Sequence, residues 1–167
     1  MIELRVLAPD DWPIWRELRL AALAEAPYAF GSRLADWQGD GDRDERWRGR
    51  LEIPGSYNLV ALLDGRSAGM ASGVPTEDRG VVELISMWVH PDARGRGVGD
   101  QLLAAVEQWA RQVRAEVLKL AVAEGNDSAT GLYRRHGFQL TAEVGDLMPD
   151  GVRREQIMAK ELGTSVS

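Results

Sequence analysis

Apolar and polar residues alternate along "IELRVLA" (Ile2–Ala8), the period of a half-buried strand. The period then lengthens. Trp12, Trp15, Leu18, Leu20 and Leu23 share one helical face from about Asp11 to Glu25, with Asp10 or Asp11 as N-cap and Pro13 in the first turn. "APYAFGS" breaks that helix. Asp36 to Arg50 is highly charged and reads as a short helix or a flap. "YNLVALLDGRSAGMASGVPT" predicts two strands joined at Asp64-Gly65, a hairpin turn signal. Gly80–Pro91 predicts a further strand, ended by its proline.

From Val98 onward, Leu102, Leu103, Val106, Trp109, Ala110 and Val113 mark a strong helical stripe. Glu116–Asn126 predicts a buried strand. Asp127–Gly137 predicts a helix, with Asn126 or Asp127 at its start and Gly137 at its end. "FQLTAEVGDLM" and "VRREQIMAKEL" predict a last strand pair across Pro149-Asp150-Gly151. The fold class is therefore α+β: one domain over residues 1–162, with a mixed, mostly antiparallel twisted sheet of six to seven strands and four flanking helices. Residues 163–167 read as a frayed tail.

Composition narrows the chemistry. The chain has no cysteine and only two histidines, His90 and His136, so thiolate or His-rich metal sites and a Cys nucleophile are not expected. A net charge of −6 argues against broad nucleic-acid binding. No apolar run reaches membrane length, and the N-terminus lacks a signal-peptide layout, so the expected compartment is the cytoplasm. Eighteen of the 20 basic residues are arginine, a bias typical of GC-rich coding. Any single arginine is thereby a weaker signal.

"HPDARGRGVGDQLL" (His90–Leu103) places three glycines and two arginines between a strand and a helix. There, free backbone N–H groups and the helix dipole attract an anion. No Gly-Lys-Ser/Thr follows, so it is not a nucleoside-triphosphate loop. A dinucleotide fingerprint starting at Gly95 would end at Asp100, so that pattern fails as well. What remains is Arg94-x-x-Gly97-x-Gly99, in which glycines allow close backbone approach and Arg94 and Arg96 supply charge.

At this point the sequence resembles the GCN5-related N-acetyltransferases, the GNAT superfamily. "VELISMWVHPDARGRGVGDQLL" is similar to that family's acyl-CoA segment. "NDSATGLYRRHGF" is similar to its next motif, with Asn126, Ala129, Tyr133, Gly137 and Phe138 at the matching positions. "LRLAALAEAPYAFGS" resembles the first-helix region of many bacterial members. The resemblance implies acetyl-CoA as cofactor. Its pyrophosphate would lie on the backbone of Arg94, Gly95, Arg96, Gly97, Val98 and Gly99, its arm beside Met87, Trp88 and Val89, and Asn126 and Ser128 nearby. A backbone N–H near Met87 would serve the thioester carbonyl. Tyr133 would face the sulfur, where a phenol can donate to a departing thiolate. Helix capping is the alternative for Asn126 and Ser128, and aromatic packing for Tyr133.

Glu83 lies eleven residues before Arg94, the offset of the catalytic glutamate in histone-acetylating members, and is the candidate base. Unbroken strand parity would put it on the side of Ile85, Met87 and Val89; a bulge would change that. His90 and His136 read as structural. The acidic group Asp36, Asp40, Asp42, Asp44 and Glu45, with Trp37 and Trp47, reads as solvated loop charge; a seat for a cationic acceptor is the alternative. The expected function is acetyl transfer to a primary amine of a small molecule or peptide by direct attack in a ternary complex. The rival reading is a non-catalytic acyl-CoA-binding regulatory module; an O-acetyl or longer-chain acyltransferase is a third. A homodimer is left open.

Overall fold

The computed structural model of the chain describes residues 1–25, 37–147, 152 and 154–163. The segment containing "APYAFGS", Asp36, the Pro149-Asp150-Gly151 turn and residues 164–167 fall outside the described residues. The elements are β1 (Ile2–Val6), α1 (Trp12–Glu25), α2 (Asp44–Leu51), β2 (Tyr57–Leu63), β3 (Arg66–Pro75), β4 (Val81–Val89), α3 (Val98–Gln112), β5 (Val117–Ala123), α4 (Asp127–Arg135), β6 (Gln139–Leu147) and β7 (Arg154–Glu161). The charged stretch before Arg50 thus becomes a helix. Entry into α1 differs from expectation: a 3-10 turn, Pro9–Asp11, precedes it, and Asp11 reaches back to accept from the backbone N–H of Ala8 at 2.8 Å.

The strands form one sheet in the order β1-β2-β3-β4-β5-β7-β6. Neighbours are antiparallel except β4 and β5, which are parallel. Parallel neighbours need a crossover, and α3 supplies it. Its stripe of Val98, Leu102, Leu103, Val106, Trp109 and Ala110 is buried on one face of the sheet, in a core shared with Leu59, Ala71, Leu84 and Leu118. On the other face, α1 and α2 bury Trp15, Leu18, Trp47 and Leu51 against Val60, Met70 and Trp88. Asp42 ties these two helices together. It accepts from Arg16 Nε and Trp47 Nε1, each at 2.8 Å, which holds its carboxyl down at about 2.

β4 is interrupted. Its register against β3 shifts between Met70↔Trp88 and Ser72↔Ile85, so two residues of β4 oppose one of β3. Ser86 takes the left-handed conformation at φ 56°, unusual for a side chain that is not glycine. The bulge overturns the unbroken parity. Val82 and Leu84 join the α3 core, and so do Met87 and Val89, whereas Trp88 joins the α1–α2 core. Glu83 therefore lies on the α1–α2 side with Trp88, not with Met87 and Val89.

Close packing of α3 on β3 depends on a missing side chain. A Cβ at Gly73 would sit 2.3 Å from Trp109 Cζ3, and the Trp109 ring is already stacked on Tyr57 at a centroid distance of 5.7 Å. Gly73→Ala is expected to destabilise the fold by about 1–3 kcal/mol in urea unfolding, the usual cost of overpacking. Gly49→Ala, in α2 with nothing within 4 Å of the added Cβ, is the control and is expected to be neutral or stabilising.

Candidate functional site

The bulge opens the sheet. β4 and β5 pair only over Val81–Leu84 and Val117–Leu120. Beyond Leu84 the two strands carry no further rungs, and a cleft of about 1200 Å³ runs between them. It is lined by the second half of β4, by Ala121–Ala123 of β5, by the loop before α3, and by residues from α1, α2 and α4. One mouth thus faces α3 and α4, the other α1 and α2.

The α3–α4 mouth is built from backbone. Gly95 and Gly97 take φ values of 79° and 84°, conformations that strain any side chain, and Gly97 caps α3. The first helical hydrogen bond of α3 runs from Gln101 to Gly97, so the N–H groups of Val98, Gly99 and Asp100 have no intrahelical partner. A Cβ at Gly99 would stand 3.3 Å from Leu132 and 3.6 Å from Met87 and Val89, closing this passage. Such a cradle suits a phosphate approached by N–H groups. The Val98 side chain is buried in the core, leaving its backbone to the loop.

The other predicted residues are distributed unevenly. Arg94 lines the cleft, but its guanidinium donates to the carbonyl of Val89 at 3.1 Å and to both carboxylate oxygens of Glu25 at 2.6 and 2.8 Å. It pins the loop to β4 and α1. Arg96 is exposed outside the cleft lining, and its charge acts on Asp64 in the β2–β3 turn. Asn126 and Ser128 line the cleft, and Asn126 Oδ1 caps α4 by accepting from the Ala129 N–H at 3.3 Å. His90 Nδ1 accepts from the Asp92 N–H, and His136 meets Asp100 at 2.8 Å; both are local structural roles. Of the acidic group near α2, Asp42 is spent on Arg16 and Trp47, while Asp44 and Glu45 are exposed.

Tyr133 lines the cleft from α4, 6% exposed, its ring against Phe138 at 6.0 Å between centroids. Burial pushes its phenol above the ordinary 10, so it stays protonated at working pH. Glu83 lines the cleft from β4. Burial raises its carboxyl above the ordinary 4.5; Lys119 opposes the shift, and Asp146 and Glu143 add to it. Glu155 of β7 is raised in the same way by burial, Asp146 and Glu83.

Among the cleft residues that escape sequence reasoning are two acids, Asp146 and Glu155, and two arginines, Arg19 and Arg50. The two acids sit on a strand pair whose register slips twice, between Leu140 and Val144 and between Val144 and Leu147, so alternation does not place them. The two arginines are hidden by the arginine bias. Arg50 donates to Asn58 Oδ1 at 3.2 Å, Ser72 Oγ at 3.2 Å and Ser86 Oγ at 3.1 Å, and so holds the bulge. Among the described residues, no group of three or more His, Cys, Asp or Glu could hold a metal, and no helix is long and apolar enough to cross a membrane.

Comparison with known proteins places this architecture. An L-methionine sulfoximine/L-methionine sulfone acetyltransferase of Pseudomonas aeruginosa is 41% identical over 66 residues, covering 40% of this chain and only 38% of that relative. An aminoglycoside N(6')-acetyltransferase type 1 of Stenotrophomonas maltophilia is 26% identical over 150 residues, covering 84% and 88% of the two chains. The yncA protein of Salmonella typhimurium, solved with its cofactor acetyl-CoA, superposes with a TM-score of 0.76 at 23% identity over 100% of this chain and 97% of that one. The family model described as the acetyltransferase (GNAT) family matches residues 15–138, from α1 through the loop before α3 to the end of α4. The chain belongs to the acetyltransferase (GNAT) family.

Proposed function

We propose that this GNAT member transfers the acetyl group of acetyl-CoA to a primary amine by direct attack in a ternary complex, across the gap between β4 and β5. The activity class and the donor come with the family. The observation that carries the finer reading is the two-mouthed cleft: a phosphate-suited backbone cradle on one side and half-buried carboxylates on the other.

The chain's own groups fit the donor. The N–H groups of the turn from Arg94 to Gly99 would hold the pyrophosphate, with Gly95 and Gly97 permitting the turn. Met87, Trp88 and Val89 would offer the unpaired backbone edge of β4 to the arm, and Asn126 and Ser128 would flank it. Acetyl-CoA supplies an activated acyl carbon and a thiolate leaving group. The amine nitrogen forms a bond to that carbon as the carbon–sulfur bond breaks. Of the two protons an ammonium must lose, one ends on sulfur and the other leaves through a base.

Glu83 is the proposed base, acting directly or through a water. A carboxylate with a raised pKa is better matched to an ammonium proton than an exposed one. Asp146 and Glu155 add negative charge that draws the cationic amine to this mouth. Tyr133 is the proposed donor to sulfur. Burial raises its phenol above the ordinary value, so it is protonated when the thiolate forms and donates to the sulfur, as a hydrogen bond or as the proton that ends there. The relatives' acceptors, an amino-acid analogue and an aminoglycoside, are both amines. The carboxylates at the acceptor mouth speak against a module that only binds acyl-CoA.

Tyr133→Phe is expected to lower kcat roughly 10–100-fold while the Kd for CoA changes less than about twofold, checked by thiol release and calorimetry. An unchanged kcat removes Tyr133 from the mechanism. Glu83 works in its ionised form, and its pKa is raised, so kcat/KM falls as pH drops through a value above 4.5. Glu83→Gln is expected to abolish that acidic limb and to lower kcat/KM by about 100-fold or more. A limb that persists in the variant assigns the base elsewhere.

A further inference from the structure

Gly95 and Gly97 permit the turn of the donor loop, but glycine loses more conformational freedom on ordering than any other residue, so something else must hold the shape. The entry to the loop is fixed at Arg94. Its backbone N–H donates to the carbonyl of Pro91 over a long 3.4 Å. Its guanidinium makes shorter contacts: Nε donates to the carbonyl of Val89 at 3.1 Å, and Nη2 to both carboxylate oxygens of Glu25 at 2.6 and 2.8 Å. Val89 ends β4 and Glu25 ends α1. Ala22 and Leu23, just before Glu25, are fully buried, so its carboxylate stands on an anchored helix end. One side chain thus ties the donor loop to the bulged strand and to a helix of the opposite mouth.

A lone exposed ion pair contributes little, because two long side chains must be ordered to make it. Here the bond to Val89 already orders the guanidinium, so the contact with Glu25 loses less freedom. Arg94 and Glu25 both line the cleft. Left bare, Glu25 would repel the phosphates of a donor; covered by Arg94, it sets where the loop begins. The second arginine of the loop, Arg96, is exposed outside the lining, and its charge acts on Asp64. The loop therefore meets an anion chiefly with its backbone, and its placement depends on the Arg94–Glu25 pair.

Resting on the reading of this loop as the seat of the coenzyme A pyrophosphate, we propose that Glu25 is a positioning residue for the acetyl donor. It holds Arg94 as a brace, and the brace presents the backbone N–H groups of the loop to the pyrophosphate. A loop ordered in advance binds more tightly, because less freedom is lost on binding. The rival role is a latch, in which Arg94 leaves Glu25 and meets the phosphates itself. The two roles differ in sign. Without the charge of Glu25 a brace is lost and affinity falls, whereas a latch is released and affinity rises.

The test is calorimetry of CoA, and of pantetheine, which lacks the phosphates, with the wild type, Glu25→Gln, Arg94→Gln and the double variant. Both side chains are partly exposed, and an unfolding midpoint near that of the wild type verifies that each variant is folded. The wild type is expected to bind CoA about tenfold or more tightly than pantetheine. Glu25→Gln is expected to raise the Kd for CoA about three- to tenfold and to leave the Kd for pantetheine within about twofold. Arg94→Gln is expected to weaken CoA in the same selective way, and the double variant to be no worse than Arg94→Gln, because the pair acts as one unit. Tighter CoA binding by Glu25→Gln makes Arg94 a latched phosphate ligand and overturns the proposal. An unchanged Kd, fully additive losses, or equal weakening of CoA and pantetheine (the mark of a merely structural role) overturn it as well. All of these leave the acetyltransferase reading standing. A wild type that binds CoA no more tightly than pantetheine overturns the reading of the loop as a pyrophosphate seat.

Discussion

One extra residue in β4 organises this protein. Opposite a single residue of β3, Ser86 and Met87 both fit, and Ser86 pays in a left-handed backbone. Two consequences follow from that irregularity. Pairing with β5 stops at Leu84, which leaves backbone edges facing a gap instead of a ladder. Parity inverts, so that apolar residues still point at the α3 core above and below the break. The bulge is held from the α2 side by Arg50 and continues into the loop that Arg94 ties to β4 and α1. A strained element persists when its surroundings over-determine it, and here helices on both faces contribute.

The gap divides the chemistry by type of group. Toward α3 and α4 the cleft presents backbone: glycines in positive-φ turns and N–H groups without intrahelical partners at a helix start, with the buried Tyr133 in the lining. Toward α1 and α2 the cleft presents charged side chains, carboxylates from β4, β6 and β7 and guanidiniums from α1 and α2. A backbone cradle is insensitive to side-chain substitution and suits a partner common to a whole family. A charged wall is easily changed and suits the partner that differs between members. Asp100 illustrates the economy of the first side. It stands in the opening turn of α3, where a free carboxylate would oppose a phosphate, and Arg135 of α4 and His136 at its cap engage it in hydrogen bonds.

Legibility in the sequence followed the same division. Most strands and helices announced themselves by period, because one face of each is buried in one of two cores; the charged stretch of α2 read only as a short helix or a flap. The glycine loop was legible because glycine is a direct statement about backbone. Glu83 was visible by offset, but its face was not: parity cannot count a bulge, and Ser86 carries no glycine or proline to mark one. Asp146 and Glu155 were invisible because their strands slip register twice. Arg19 and Arg50 were invisible because the rest of the chain is crowded with arginines, and only burial separates them from the surface ones. Asp42 showed the opposite error risk, an acid in a charged stretch that turns out to be a helix tie.

The central claim is that the β4–β5 gap beside the bulge, continued by the loop before α3, is where the acetyl donor lies. Hydrogen–deuterium exchange of the intact chain with and without CoA tests it directly. Added protection is predicted at the amides of Met87–Val89 and Arg94–Gly99, with the β2–β3 hairpin unchanged. Binding of CoA with protection concentrated away from these two segments would contradict the account.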